Sequence, residues 1–271
     1  MRLAILYTSH RQWAELDYLP AFFERASRLK HQVDILFHCN NGQIDEAALR
    51  DKLAKIPARS VTVRVSPSKN TGGYVYGQYE AMADMWDHVD FSQWDWVIHM
   101  HPDLFIADET KLFGVIDQAE RAGAELIVSA VFGHRLPSFG TDCFIFKPVP
   151  AVRGVFDGYI PLLSTPIRIP TENLFFIEVH RARLKYLVVP RYAHGHYHKD
   201  IDRWGIWHEH NLRRVAAYLQ KPSSRWRFTL QQALRHPYQA ANAVAVWLGR
   251  IVYGIPQDGL GAQLSRIESP K

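Results

Sequence analysis

The chain has 271 residues, of which 47% are hydrophobic and 22% charged, an ordinary composition that suffices for one large domain or a domain with an appendage. Its formal net charge of +5 suits an anionic ligand or an acidic membrane surface but is too small to predict nucleic-acid binding. Two cysteines imply no disulfide framework and favour a reducing compartment, and no apolar run reaches the roughly 20 residues of a transmembrane helix.

The first half of the chain alternates short apolar runs with segments of helical periodicity. The apolar run at residues 3–7 is too short for a signal peptide and predicts a buried strand. Further strands are predicted at residues 33–37, 61–65, 96–101 and 125–131, and helices at residues 13–30, 45–55, 76–86 and 109–122, with Pro20 either kinking the first helix or marking its start. This alternation predicts an α/β fold with a mainly parallel, Rossmann-type sheet and right-handed crossovers.

The second half has a different character. A strand is predicted at residues 140–147, a helix at 174–185 after a Thr171 cap, and a short strand at 187–190. From about Trp204 onward the chain is basic and aromatic-rich, and it predicts two or three helices. We therefore divide the chain into an α/β domain at residues 1–203 and a helical C-terminal extension at residues 204–271.

The central strand is predicted to end at Pro102, because proline cannot donate to a sheet ladder. His101 and Asp103 would then lie at the carboxyl end of that strand, where open α/β sheets bind ligands. A carboxylate in this place suits a hard divalent cation that keeps water and phosphate oxygens as its other ligands. The alternative is a surface turn in which Asp103 caps the segment that follows.

Four polar loops follow the first four predicted strands, at residues 8–11, 39–41, 68–73 and 101–103. In a parallel sheet they meet at one edge, where amides and hydroxyls can hydrogen-bond a base and ribose and Arg11 or Lys69 can face phosphate. Neither a Walker sequence nor a glycine-rich dinucleotide fingerprint is present. The candidate donor-binding residues are Thr8, Ser9, Arg11, Asn40, Asn41, Asn70, Gly73 and His101.

With these motifs the chain resembles the GT-A fold glycosyltransferases, especially the large inverting family that contains rhamnosyl- and galactosyl-type enzymes. The resemblance covers about residues 3–200 and lies in the order and spacing of several short elements. These elements are the opening strand with Thr8-Ser9-His10, the Asn70-Thr71-Gly72-Gly73 loop, the metal motif written here as His101-Pro102-Asp103, the strand after Asp142, the base motif Thr171-Glu172-Asn173, and a late histidine at His196 or His198.

The resemblance implies transfer of a sugar, with inversion, from a nucleoside-diphosphate sugar to a hydroxyl of a glycan or lipid-linked saccharide, as in polysaccharide biosynthesis. It implies a divalent Mn²⁺ or Mg²⁺ ion on Asp103, with His101, His196 and His198 as further candidate ligands. Glu172 is the expected general base and Asp142 the reserve. The alternative for Glu172 is an acid at a helix N-terminus that the helix dipole favours.

Two departures from the family pattern and one histidine cluster leave other functions open. His101 replaces the first acid of the metal motif and Asn173 replaces the second acid of the base motif, which favours a catalytically inactive protein that binds a nucleotide sugar or glycan. His194, His196 and His198 alternate, so on a strand they share one face. With Asp200, His208 and His210 nearby they favour a metal-dependent hydrolase, unless they are ordinary surface histidines.

The tail supplies the last sequence signal. Four arginines lie among five aromatic residues, which suits an anionic membrane interface where a lipid-linked acceptor would be found. We expect a cytoplasmic protein, with peripheral contact at the inner face of the membrane as one option and a helical layer packed on the sheet as the other. The residues are Arg225, Arg227, Arg235, Arg250, Trp226, Phe228, Tyr238, Trp247 and Tyr253.

Overall fold

A computed structural model describes residues 1–10, 14–66, 76–131, 138–164, 169–189, 193–194 and 204–220. The strands are β1 (Leu3–Ser9), β2 (Asp34–Cys39), β3 (Ser60–Val65), β4 (Trp96–Met100), β5 (Leu104–Ile106), β6 (Leu126–Val131), β7 (Ser138–Phe139), β8 (Cys143–Phe146), β9 (Tyr186–Val189), β10 (Ala193–His194) and β11 (Ile206–His208). The α-helices are α1 (Leu19–Arg25), α2 (Glu46–Leu53), α3 (Gly77–His88), α4 (Glu109–Ala122), α5 (Pro150–Asp157), α6 (Thr171–Arg181) and α7 (Leu212–Gln220). Short 3₁₀ helices lie at Glu15–Asp17, Phe91–Gln93 and Ile160–Ser164.

Within these ranges the main sheet has eight strands in the order β3-β2-β1-β4-β8-β6-β7, with β9 also paired to β6. Strands β1 to β4 are mutually parallel, and β6 and β9 run the same way, because β8 is antiparallel to both β4 and β6. Strand β7 is antiparallel to β6. The predicted fold class, a mainly parallel Rossmann-type sheet flanked by helices, is confirmed.

The central strands β1, β2, β4 and β8 are buried on both faces, which explains why their sequences are largely apolar, whereas the edge strand β3 alternates apolar and polar residues. In β1, Leu3, Ile5 and Tyr7 face one core layer with α1, α2 and α4, whereas Ala4 and Leu6 face the other with α3, α5 and α6. All residues of β4 are buried. The strand that precedes His101 is therefore a rigid central element with helices on both sides.

Three helices differ from the sequence prediction, and one of them is α6, which begins at Thr171 itself rather than after a Thr171 cap and ends at Arg181. The helix expected at residues 13–30 is shorter, because α1 begins at Leu19 with Pro20 in its first turn and ends at Arg25, before an extended Ala26. Helix α5 was not predicted, although Pro150 suits a first helical turn and Val152, Val155 and Phe156 have helical spacing and are buried.

The segment after residue 203, predicted as helical, begins with a strand. Strand β11 forms a second sheet in the order β10-β11-β5 and is antiparallel to β5, with Ile206 opposite Ile106 and His208 opposite Leu104. Trp204 and Trp207 are buried in the core layer that also contains Leu3, Ile5 and Tyr7 of β1. The division at 203/204 stays a prediction. Among the described helices, none combines the length and the apolar character needed to cross a membrane.

Gly205 fixes the start of β11. Its carbonyl oxygen accepts hydrogen bonds from the backbone N–H groups of Ala107 (2.8 Å) and Asp108 (3.1 Å), at the beginning of α4. Its φ of 73° lies in the left-handed region, and a Cβ at this position would overlap the carbonyl oxygen of Asp108. Glycine is therefore required where β11 approaches α4.

Replacing Gly205 by alanine should lower the free energy of unfolding by about 2–4 kcal/mol, because a strained φ and a backbone overlap add together. Urea unfolding measures this loss. Gly114→Ala is the matched control, since Gly114 lies on α4 with open space around its Cβ position, and it should be neutral or stabilising by about 0.5–1 kcal/mol. Equal stability of the two variants would show that Gly205 does not constrain the approach.

Candidate functional site

The carboxyl ends of β1, β2 and β4 lie side by side at one edge of the sheet, and the antiparallel strand β8 starts there. Backbone hydrogen bonds connect these ends directly, since Asn40 N–H donates to the Ser9 carbonyl (3.0 Å) and His101 N–H donates to the Asp142 carbonyl (3.1 Å). The side-chain amide of Asn41 donates to the His10 carbonyl (3.1 Å). The structure thus brings together residues of three of the four predicted loops and Asp142.

Thr8 lies below the surface of this edge. It is buried, and its Oγ1 is 2.7 Å from Nε2 of His99, which is fully buried in β4 and stacks on Phe144 with ring centroids 4.4 Å apart. Burial, and secondarily the neighbouring His101, hold the pKa of His99 well below its ordinary value. His99 is therefore neutral, and it fixes the direction of the Thr8 hydroxyl. Ser9, one residue further on, is partly exposed.

Asn40 connects the edge to the start of α3. Its Nδ2 donates to the Gly77 carbonyl (3.2 Å), and Gln78 donates to the Thr141 carbonyl (2.6 Å). The Asn40 Oδ1 is buried and accepts no hydrogen bond from the described residues. Because Nδ2 is already engaged, this oxygen is the acceptor that Asn40 can offer to a ligand.

His101 lies beside Asp142. Its Nδ1 is 3.7 Å from Asp142 Oδ1, and both side chains are about one-third exposed, at 33% and 31%. Asp142, the predicted reserve base, and His101, a predicted metal ligand, are therefore partly exposed neighbours at this edge of the sheet.

Asp103 is contacted by two imidazoles from the far end of the described chain. Its Oδ2 is 3.2 Å from His208 Nε2 and 3.1 Å from His210 Nδ1. One donor atom from each of the three residues lies within 4.8 Å of the others, an arrangement that could hold a metal ion. Asp103 and His208 are largely buried, at 16% and 11% exposed, whereas His210 is 67% exposed.

The electrostatics of Asp103 fit a cation. Burial raises its pKa, but the hydrogen bond from His208 and the charges of His208, His101 and His210 outweigh burial and lower the pKa to about 2. Its other oxygen, Oδ1, is buried and accepts no hydrogen bond within the described residues. An ionised carboxylate with a spare buried oxygen beside two imidazoles is a donor set that suits Mn²⁺ better than Mg²⁺.

Glu172 is the second residue of α6 and is partly exposed, and the following Asn173 is buried. Burial, and further the charges of Glu178 and Glu172, raise the pKa of Tyr79 on α3. Ile169 N–H, just before α6, donates to the Tyr76 hydroxyl (3.4 Å), just before α3, so the starts of the two helices lie close together. The catalytic role of Glu172, like that of Asp142, stays a prediction.

Several predicted site residues lie outside the described residues, so their roles also stay predictions. His194 belongs to β10, where it is opposite His208 in the β10–β11 pairing. The undescribed candidates are Arg11, Lys69, Asn70, Gly73, His196, His198 and all named residues of the tail.

In the sequence, His208 and His210 support only the hydrolase hypothesis, whereas the structure places both imidazoles beside Asp103. The local signal was a His-x-His spacing directly after a short apolar run, Ile206–Trp207. The partner of His208 is 105 residues away in sequence, so this signal predicted metal-binding chemistry without indicating which carboxylate completes the site.

Comparison with known proteins gives distant structural similarity only. No protein-family model matches the chain, and no curated protein does. A 4-diphosphocytidyl-2C-methyl-D-erythritol synthase from Anaerococcus prevotii has a TM-score of 0.49 at 14% identity, with 81% of this chain and 96% of that chain covered. A putative nucleotide-diphospho-sugar transferase from Desulfovibrio desulfuricans has a TM-score of 0.45 at 14% identity, with 90% of this chain and 98% of that chain covered. A mannosyltransferase from Pyrobaculum calidifontis, in complex with GDP-Man and Mn²⁺, has a TM-score of 0.47 at 10% identity, with 70% of this chain and 55% of that chain covered. Similarity of this degree assigns neither a substrate nor a reaction to this chain.

The depressed pKa of Asp103 predicts a stability that depends on pH. Because the folded pKa of about 2 lies below the ordinary 3.8, ionised Asp103 stabilises the fold above about pH 4, and this contribution is lost as the pH falls to about 2. In chelator-treated protein, the gap in unfolding free energy between wild type and Asp103→Asn should shrink by about 2 kcal/mol from about pH 5 to about pH 2. Urea unfolding at a series of pH values measures it.

The control for this prediction is Glu46→Gln, which removes an exposed ion pair with Arg50. Its effect should stay within about 0.5 kcal/mol throughout the pH series. A constant gap between wild type and Asp103→Asn would contradict the assigned charge state of Asp103.

Proposed function

We propose that this protein is a divalent-metal-dependent glycosyltransferase that moves a sugar from a nucleoside-diphosphate sugar to a hydroxyl acceptor. The observation that carries the proposal is the placement of ionised Asp103, with His208 and His210, beside the sheet edge where the loops after β1, β2 and β4 meet. A candidate metal cluster next to polar residues at the carboxyl ends of parallel strands suits a ligand that has a base, a ribose and a diphosphate.

The donor side is assigned to this polar edge of the sheet. Asn40 offers its unengaged Oδ1 to an N–H of the base or a hydroxyl of the ribose. Asn41 and Ser9 line the same edge. When a divalent ion, preferably Mn²⁺, is held by Asp103, His208 and His210, it supplies Lewis-acid stabilisation of the diphosphate leaving group.

The acceptor side is assigned to two carboxylates, Glu172 at the start of α6 and Asp142 beside His101. In an inverting transfer, the acceptor oxygen forms its bond to the anomeric carbon while the bond from that carbon to the diphosphate breaks. A carboxylate takes the proton of the attacking hydroxyl, and Glu172 is our first assignment for it, with Asp142 beside His101 as the second. We further propose a glycan or lipid-linked acceptor and a cytoplasmic location, with peripheral membrane contact through the basic, aromatic tail that contains Arg225 to Tyr253.

A metal-dependent hydrolase is the second candidate, and one observation favours it. The backbone pairing of β10 with β11 puts His194 opposite His208, so the predicted histidine run begins next to the metal cluster. The two candidates differ in product, because a hydrolase releases free sugar without an acceptor whereas a transferase needs one. An inactive nucleotide-sugar-binding protein would bind the donor and do neither.

The metal and donor assignments predict coupled binding. Asp103→Ala and His208→Ala should each weaken Mn²⁺ binding at least about 10–100-fold, because each removes a ligand or its closest partner. The affinity of each variant for the nucleoside-diphosphate sugar should fall together with its affinity for Mn²⁺. Wild-type protein should bind Mn²⁺ more tightly than Mg²⁺. Titration calorimetry with UDP-, GDP- and dTDP-sugars, with and without each ion, measures both effects.

His88→Ala is the matched control for these variants. His88 is half-exposed at the end of α3, where it lies beside Asp84 and Arg64, and its loss should leave Mn²⁺ and donor affinities unchanged. The proposal fails if wild-type protein binds none of the donors in the presence of Mn²⁺.

The base assignment predicts a split between binding and turnover. Glu172→Gln keeps the shape of the side chain but removes the proton acceptor, so donor affinity should be nearly unchanged while single-turnover transfer falls about 10²–10⁴-fold. Asp142→Asn is the comparison, measured in the same assay once an acceptor is known. Full activity of Glu172→Gln together with a large loss in Asp142→Asn would move the base to Asp142.

A further inference from the structure

Glu209 lies in sequence between the two candidate metal-binding histidines, but its carboxylate contacts Asn211 and Arg214. The residue is buried, at 4% exposed. Its Oε1 accepts a hydrogen bond from Asn211 N–H (2.8 Å), and its Oε2 is 3.3 Å from Arg214 Nη1 on α7. Glu209 is therefore bound to the turn that joins β11 to α7, whereas its two neighbours face Asp103.

The two histidines are held by different means. His208 is the last residue of β11, and the strand register opposite Leu104 of β5 fixes its backbone. His210 lies beyond the strand and before α7 begins at Leu212, and its side chain is 67% exposed. Packing does little to orient an imidazole that is so exposed, so its direction depends on the backbone of the turn at residues 209–211.

Glu209 fixes that turn at three points. Its own N–H donates to the carbonyl oxygen of Asp103 (3.1 Å), which ties the turn to the carboxylate-bearing residue itself. Its side chain then accepts from Asn211 N–H and pairs with Arg214. Asn211 Oδ1 in turn accepts from Arg213 N–H (3.1 Å) at the start of α7. The chain thus changes from strand to helix within three residues.

We propose that Glu209 is a positioning residue that makes His210 a metal ligand by holding the turn at residues 209–211 in shape. This inference rests on the proposed metal site. Removing the Glu209 carboxylate leaves Asn211 N–H and Arg214 without this acceptor, and the turn and His210 are then free to move away from Asp103. His208 stays in place, because strand pairing uses backbone groups alone.

The test is a thermodynamic cycle on Mn²⁺ binding in metal-free, full-length protein, with unbound ion counted by electron paramagnetic resonance. His210→Ala should weaken binding about 10–100-fold, the usual cost of losing a ligand or its partner, and Glu209→Ala should weaken it by a similar factor. The double variant should be no weaker than His210→Ala, because the two residues act through one imidazole. Glu209→Gln should recover most of the affinity, because its amide oxygen can still accept from Asn211 N–H.

Matched variants separate this role from general destabilisation. Glu178→Ala removes a carboxylate that is similarly buried, at 7% exposed, and likewise paired with an arginine, Arg181 at 2.6 Å, and it should bind Mn²⁺ as wild type does. Should Glu209→Ala not fold, Arg214→Met, which removes one partner of Glu209, should weaken Mn²⁺ binding in wild type and have no effect in His210→Ala.

Two results would overturn the inference. One is wild-type Mn²⁺ affinity in Glu209→Ala, or in Arg214→Met if that variant is used. The other is a double variant whose loss is the product of the two single losses, which would mean that Glu209 acts independently of His210. If Asp103→Ala and His208→Ala also keep full Mn²⁺ affinity, the metal site itself is wrong, so the failure of the proposed function is distinguishable from the failure of this inference.

Discussion

The antiparallel pairing of β11 with β5 is the contact on which the candidate site depends. Strand β5 starts directly after Asp103, so any strand paired with it in this direction delivers its own carboxyl end to Asp103. That end carries His208, followed by His210. A site made from residues 105 positions apart in sequence is thus produced by only three backbone pairs and the buried tryptophans that hold them.

The core around this pairing explains why so short a strand is sufficient. Trp207 of β11 lies in an aromatic group with Phe105 of β5, Phe22 of α1 and Tyr218 of α7. Burial of large aromatic rings contributes more than the few backbone hydrogen bonds, since each ring removes a large apolar area from water. The end of the described chain is therefore fixed by the same core layer that supports β1 and β4.

The sequence predicted the features that depend on local chemistry. Pro102 had to end the central strand, and the alternation of apolar runs and helical segments had to give a mainly parallel sheet, because both follow from backbone geometry. The sequence did not indicate that residues 206–208 pair with β5. Residues 206–208 are too short to show strand periodicity, and their aromatic, basic surroundings suggested helix, so β11 and its histidines could be assigned to Asp103 only from the structure.

A site with one carboxylate and two imidazoles differs in charge from a site with two carboxylates. Neutral imidazole adds a donor atom without adding negative charge, so this cluster attracts a hard ion such as Mg²⁺ less strongly while still offering nitrogen to a transition ion. The same lower charge would repel the diphosphate of the proposed donor less. His101 lies 3.7 Å from Asp142, and its charge also acts on Asp103. The replacement of the first acid of the metal motif by His101 is therefore compatible with a working site, because His208 and His210 supply donor atoms that the motif itself lacks.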